Sequence, residues 1–156
     1  MKERLSNWLG RKNGGVEAMM GVEAWVAEAP IDHRLLELVK TRVSQINGCA
    51  FCLHMHSEDA RKGGESDTRL LLLDAWAESA LYSERERAAL AWAEALTRIA
   101  DTHAPDATYE EVRRHFSEDE LIALSIAIGM INAWNRLAIG FRVQHPSDRK
   151  AAAAAA

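Results

Sequence analysis

The chain's only two cysteines, Cys49 and Cys52, stand three residues apart, and His56 follows four residues later. A Cys-x-x-Cys pair is short enough to close a disulfide, and a thiol at a helix start is biased toward the reactive thiolate. On a helix running from Cys49, at about 100° per residue, Cys49, Cys52 and His56 fall in a stripe roughly 60° wide, whereas His54 points elsewhere. Two thiols and an imidazole on one face suit peroxide-driven thiol chemistry. One sulfur is oxidised to a sulfenic acid, the second condenses with it to a disulfide, and an external dithiol reopens the bond by exchange. An imidazole is the side chain best suited by its ordinary pKa to manage the protons.

Other readings of the same residues stay open. Buried cysteines are usually inert small hydrophobes. Cys49, Cys52 and His56 could also be three ligands of a zinc ion, with Glu37 or His33 folding back as the fourth. No second Cys-x-x-Cys and no His-x-x-x-His is present to complete such a site. Of the remaining histidines, His33, His103, His115 and His145 fit surface or capping positions. Trp134-Asn135-Arg136 attracts notice as a motif. Trp134 fits a core stripe, and Asn135 and Arg136 suit bonds to helix ends or to a neighbouring subunit.

The elements that must position these groups read as helices throughout; no run of alternating β-branched residues bounded by turns is found. A first helix covers Val16–Ala27 and stops before Pro30. Asp32 caps a second, carrying Leu35, Leu36, Leu38, Val39 and Val43, which the Asn47-Gly48 pair ends. The third starts at about Cys49 and ends at Gly63-Gly64, and Ser66 caps a fourth through Leu70–Leu73. Ser83-Glu84-Arg85-Glu86 is a capping box opening a long fifth helix to about Ala100. Another begins at Pro105-Asp106. Ser117-Glu118-Asp119-Glu120, a second capping box, opens the last helix, through Phe141. That helix carries Leu121, Leu124, Ile128, Ile131 and Trp134, with Ile122, Ile126, Met130 and Leu137 on its flank. So wide an apolar face predicts a central helix or an oligomer contact.

The fold class expected is therefore all-α, one domain of about six to seven helices. The boundaries expected are a flexible N-terminal segment at 1–15, a helical domain at 16–145 and a flexible tail at 146–156, which ends in the low-complexity Ala151–Ala156. At 156 residues such a chain can bury a core without disulfide staples. A net charge of −4 gives nucleic-acid binding no electrostatic support. The polar Met1–Asn13 lacks the apolar stretch of a signal peptide. The apolar run Ile126–Ile131 is too short to span a bilayer. These observations lead to the expectation of a cytoplasmic protein without a membrane or nucleic-acid partner.

The block from Leu36 to Ser66, containing Ile46-Asn47-Gly48-Cys49-Ala50-Phe51-Cys52-Leu53-His54-Met55-His56, closely resembles the AhpD-like branch of the carboxymuconolactone decarboxylase superfamily. Its signature is a glutamate, eleven residues, Cys-x-x-Cys, three residues and a histidine, matched here by Glu37, Cys49, Cys52 and His56. The segments Glu84–Glu94 and Trp134-Asn135-Arg136 resemble it as well, so the likeness runs from about Val16 to Phe141. The resemblance implies an AhpD-like helical bundle assembled as a homo-oligomer, a trimer or hexamer. It implies an antioxidant alkyl hydroperoxidase or disulfide reductase activity with no cofactor and no metal, acting on a hydroperoxide and regenerated by an external dithiol. It further implies that Glu37 and His56 form a proton relay, that Cys52 attacks the peroxide and that Cys49 resolves. A thioredoxin analogy would instead favour Cys49, nearer the helix start. The best-studied peroxidase members carry a histidine directly before the second cysteine; here Phe51 stands there. That departure motivates an alternative, a non-catalytic helical oligomer whose thiol pair senses redox state. The decarboxylase branch lacks the thiol pair, so lactone decarboxylation is not implied.

Overall fold

The computed structural model describes residues 2–10, 13–146 and 148, and among these only helices and their connections are found. Eight α-helices follow in order: α1 Gly14–Ala27, α2 His33–Asn47, α3 Ala50–Lys62, α4 Asp67–Leu72, α5 Glu84–Thr97, α6 Ile99–Thr102, α7 Asp106–His115 and α8 Glu118–Phe141, with a 3₁₀ segment Leu73–Glu78 after α4. The all-α, AhpD-like expectation holds, with two more short pieces than the sequence suggested.

Local chemistry explains most of the ends. Asp32 accepts a hydrogen bond from the Arg34 amide at the start of α2. Ser83 and Ser117 both form the reciprocal capping box, with Glu86 and Glu120 reaching back. The long fifth helix breaks at Arg98, which leaves helical geometry. There the Thr102 hydroxyl donates to the Ala95 carbonyl at 2.7 Å, and the chain resumes as α6. The fourth helix passes into the 3₁₀ segment, within which Ala75 departs from helical angles.

The central element is α2, which packs on α3, α5 and α8; α7 covers α5, and α1 lies on α8. Leu36, Val39 and Val43 of α2 meet Leu124, Ile128 and Ile131 of α8 in the main core. Fully burying one such side chain contributes about 1.5–3 kcal/mol. A second cluster, Leu38, Ala60, Leu70, Leu73, Tyr82 and Leu90, fills the other side of α2. By length and composition α8 could cross a membrane, although the apolar run Ile126–Ile131 by itself is shorter. In the fold, its Ala123, Leu124, Ala127, Ile128, Ile131 and Ala138 are buried in the bundle core. Ile122 and Ile139 on its flank remain about half exposed.

Within the N-terminal segment, Trp8 is buried against Trp134 and Phe141, and the Arg4 amide bonds the Phe141 carbonyl. Of the tail expected at 146–156, all but residues 146 and 148 lies outside the described residues, the polyalanine stretch included.

Candidate active site

The site is built where α2 ends and α3 begins. Gly48 adopts a left-handed conformation (φ 70°) that other residues adopt only with strain. The Gly48 amide bonds the Gln45 carbonyl and the Cys49 amide bonds the Ser44 carbonyl, the paired bonds of a Schellman stop. The chain therefore reverses at once, and Cys49 becomes the N-cap of α3 rather than a member of its first turn. Its sulfur accepts the Cys52 amide at 3.3 Å. This turn is tied to α8: the Asn47 side-chain amide donates to Asn132 and Asn135, at 3.0 and 2.9 Å. Asn135, wholly buried, donates in turn to Ser44. Among the described residues no buried side-chain nitrogen or oxygen lacks a partner, so this polar clamp carries no unpaired group.

Cys49 and Cys52 are joined by a disulfide, their Cα atoms 5.3 Å apart. One helical turn beyond Cys52, His56 is buried, and its Nδ1 lies 2.8 Å from Oε2 of Glu37, itself 4% exposed. Burial alone would raise the Glu37 pKa. The hydrogen bond from His56 and the electrostatic influence of His56, Lys40 and His33 outweigh it, and the carboxyl sits below its ordinary value. Glu37 is thus an anion at neutral pH and can only accept. Nδ1 must therefore donate its proton to Glu37, and Nε2 is the ring nitrogen left to exchange protons with the site.

The four residues singled out from the sequence are therefore brought to one side of the α2–α3 pair, the sulfurs at the turn and His56, farther along α3, bonded to Glu37 in the first half of α2. Others expected to be peripheral stay so. His54 is exposed with its ring against His145, His115 pairs with Glu111, and His103 caps α6 in a left-handed conformation. Among the described residues no group of three His, Cys, Asp or Glu side chains converges in a way that could hold a metal ion.

Sequence reasoning missed a second tier. Lys40 sits between Glu37 (3.5 Å) and Glu23 of α1 (3.3 Å). Glu23 also accepts the indole N–H of Trp134 at 2.9 Å. The Glu37–Lys40 spacing of three residues was a readable signal for the first contact. Nothing local announces Glu23, because its partners depend on how α1 crosses α2 and α8.

A cavity of about 330 Å³ opens over Cys52 and His56. Its walls are apolar: Trp8, Met20, Phe51, Met55, Ile131 and Trp134, with Glu23 at its side. A second cavity, about 210 Å³, reaches Cys49 between the α3 start and the α8 end. A larger, charged hollow of about 400 Å³ lies away from the sulfurs. There Arg69 is engaged by Glu65 and Glu86, and Arg85 by Glu120.

An all-helical bundle that holds a vicinal disulfide-forming pair beside a buried His–Glu couple defines a class of thiol-bearing helical proteins, and comparison with known proteins places the chain within it. Residues 15–95 match the model of the carboxymuconolactone decarboxylase family, and the chain belongs to that family. It is 44% identical over 125 residues to the uncharacterised protein YdfG of Bacillus subtilis, covering 80% of this chain and 85% of that one. It is 35% identical over 105 residues to the uncharacterised protein YnjA of Escherichia coli, covering 67% of this chain and 57% of the other. The crystal structure of ATU0492 from Agrobacterium tumefaciens superposes with a TM-score of 0.88 at 44% identity, covering 93% of this chain and 99% of that one. That protein is described as of unknown function and as a candidate antioxidant defence protein AhpD, consistent with the AhpD-like branch.

Proposed function

We propose that this protein is a thiol-dependent alkyl hydroperoxidase. The observation that carries the reading is that Cys52, disulfide-bonded to Cys49, and His56, hydrogen-bonded to Glu37, line one apolar cavity. In the reduced protein the Cys52 thiolate attacks the distal oxygen of an organic hydroperoxide and becomes a sulfenic acid. The alkoxide leaves and takes the proton that Nε2 of His56 had drawn from the Cys52 thiol, the intervening imidazolium being stabilised by the Glu37 carboxylate. Cys49 then attacks the sulfenic sulfur; hydroxide departs, takes up a proton and leaves as water, and the disulfide forms. An external dithiol reopens it in two exchange steps and ends as its own disulfide. The need for such a reductant fits a reducing compartment, the cytoplasm.

Cys52 takes the attacking role because it, and not Cys49, lines the cavity shared with His56. Apolar walls favour an alkyl-bearing peroxide over hydrogen peroxide, since they desolvate the alkyl group at little cost. The half-exposed Ile122 and Ile139 on α8 supply apolar surface for a homo-oligomer, a trimer or hexamer. The test of the activity is hydroperoxide consumption coupled to a dithiol. Wild type turns over, and Cys49→Ser and Cys52→Ser each stop turnover; a wild type inert with every dithiol overturns the reading.

Phe51 favours a second reading. It stands where an additional imidazole would assist turnover and lines the cavities on both sides of the disulfide. In this reading the pair is a redox sensor, and oxidation changes assembly while turnover stays negligible. Sedimentation of the oxidised and reduced protein distinguishes the two.

A further inference from the structure

The two sulfurs of the disulfide open on different cavities. Cys52 lines the apolar one and Cys49 the smaller one, and neither lines the other's. Phe51 and Ala138 border both cavities. Thiol–disulfide exchange proceeds in line: the incoming thiolate approaches the attacked sulfur from the side opposite the departing one. A reductant that attacks Cys52 must therefore come through the apolar cavity, and one that attacks Cys49 through the smaller.

The stability of the leaving thiolate does not choose between them. Cys49 would depart beside the Cys52 amide, which already donates to its sulfur, and Cys52 would depart into the cavity that His56 also lines. The route in does choose. A thiolate in the apolar cavity loses its hydration among Trp8, Met20, Met55 and Trp134 and finds no cation there to compensate, since the one charged group lining it besides His56, Glu23, is a carboxylate already paired with Lys40. The smaller cavity is bordered by Arg142, which makes no ion pair among the described residues, together with His145 and one carboxylate, Asp148.

The geometry points to a separate reductant port: an anionic thiol enters the cavity bordered by Arg142 and Ile139 and attacks Cys49, and Cys52 is expelled as a thiolate into the peroxide cavity. This rests on the hydroperoxidase reading for its place in a cycle, though not for its test. The incoming sulfur forms a bond to Cys49 as the Cys49–Cys52 bond breaks, and the electron pair of that bond goes to Cys52. A second thiol of the reductant then displaces Cys49, so the dithiol is oxidised and the protein pair is reduced. Peroxide and reductant thus use opposite sides of one bond and do not compete for one pocket.

The test needs no hydroperoxide, so its failure is distinct from a failure of peroxidase activity. Oxidised full-length protein is mixed with 2-mercaptoethanesulfonate, acid-quenched, alkylated and fragmented by mass spectrometry. The expected adduct is on Cys49 with Cys52 alkylated. An adduct on Cys52, or no adduct with the disulfide intact, overturns the port. The opening rates with the anionic 2-mercaptoethanesulfonate and the neutral 2-mercaptoethanol are then compared in wild type and Arg142→Glu. The anionic-to-neutral rate ratio is expected to fall about fivefold, as for a charge that steers approach; an unchanged ratio overturns the role of the cationic mouth.

Discussion

The imidazole Nδ1 of His56 lies 2.8 Å from the Glu37 carboxylate, across the boundary between two helices and nineteen residues of chain. That contact fixes the tautomer of the ring and hence which nitrogen is free to serve the sulfur one turn away. Glu37→Gln keeps the shape and removes the charge that supports a protonated ring. Oxidation of the reduced pair by an organic hydroperoxide is expected to slow by about 10²-fold, within the range of a lost acid–base contribution. Stopped-flow thiol loss measures it.

The same carboxylate ties stability to pH. Its folded pKa lies below the ordinary value of 4.5, so its contribution is fully present above that value and is lost as pH falls through the lowered one. Thermal unfolding from pH 7 to pH 3 should show Glu37→Gln less stable by about 1–3 kcal/mol at pH 7, with the gap closing in acid. A gap independent of pH would contradict the assignment.

Lys40 is one of the cations that hold the Glu37 carboxyl down, and it also bridges to Glu23. Lys40→Met should move the Glu37 pKa back up. Acid unfolding then begins at a higher pH than in wild type, as followed by circular dichroism. Leaving Glu37 and Glu23 without their shared cation is expected to cost about 1–3 kcal/mol at pH 7.

Much of this arrangement was readable from short-range chemistry. The two capping boxes, the Asp32 cap and the Gly48 stop each act within five residues, and each was visible as a residue pattern before any fold was known. Cys49, Cys52 and His56 share a short stretch of chain, so their neighbourhood was legible too, although Cys49 proved to be the cap itself. From the residues alone Glu37 was named only as a fourth zinc ligand folding back; its pairing with His56 entered through family resemblance, because nothing in its surroundings announces a partner nineteen residues on. The Glu23–Trp134 bond joins residues 111 apart and depends on how α1 crosses α8, which periodicity does not encode. The break at Arg98 was hidden for a different reason. No glycine or proline marks it, and a threonine hydroxyl bonding a carbonyl seven residues back accompanies it.

Trp134 serves both as a cavity wall and as the donor to Glu23. Trp134→Phe keeps an aromatic wall and deletes the donor. It is expected to cost about 1 kcal/mol of stability and to raise KM for an alkyl hydroperoxide more than it lowers kcat. Steady-state kinetics with matched unfolding curves check both parts.

Gly48 meets no atom that a Cβ would strike, so a substitution there acts through the backbone alone. Its φ of 70° makes Gly48→Ala destabilising by about 1 kcal/mol. The cost falls on the turn that sets Cys49 against Cys52, so the variant's disulfide should be reduced more readily at equilibrium in a redox buffer than that of wild type.

The central claim is that a hydroperoxide is reduced by this sulfur pair, and thiol titration of the fully reduced protein tests it most directly. Addition of one equivalent of an organic hydroperoxide should remove two thiols per chain, yield one equivalent of alcohol and leave a Cys49–Cys52 disulfide. Two thiols persisting in the presence of excess hydroperoxide would contradict the account.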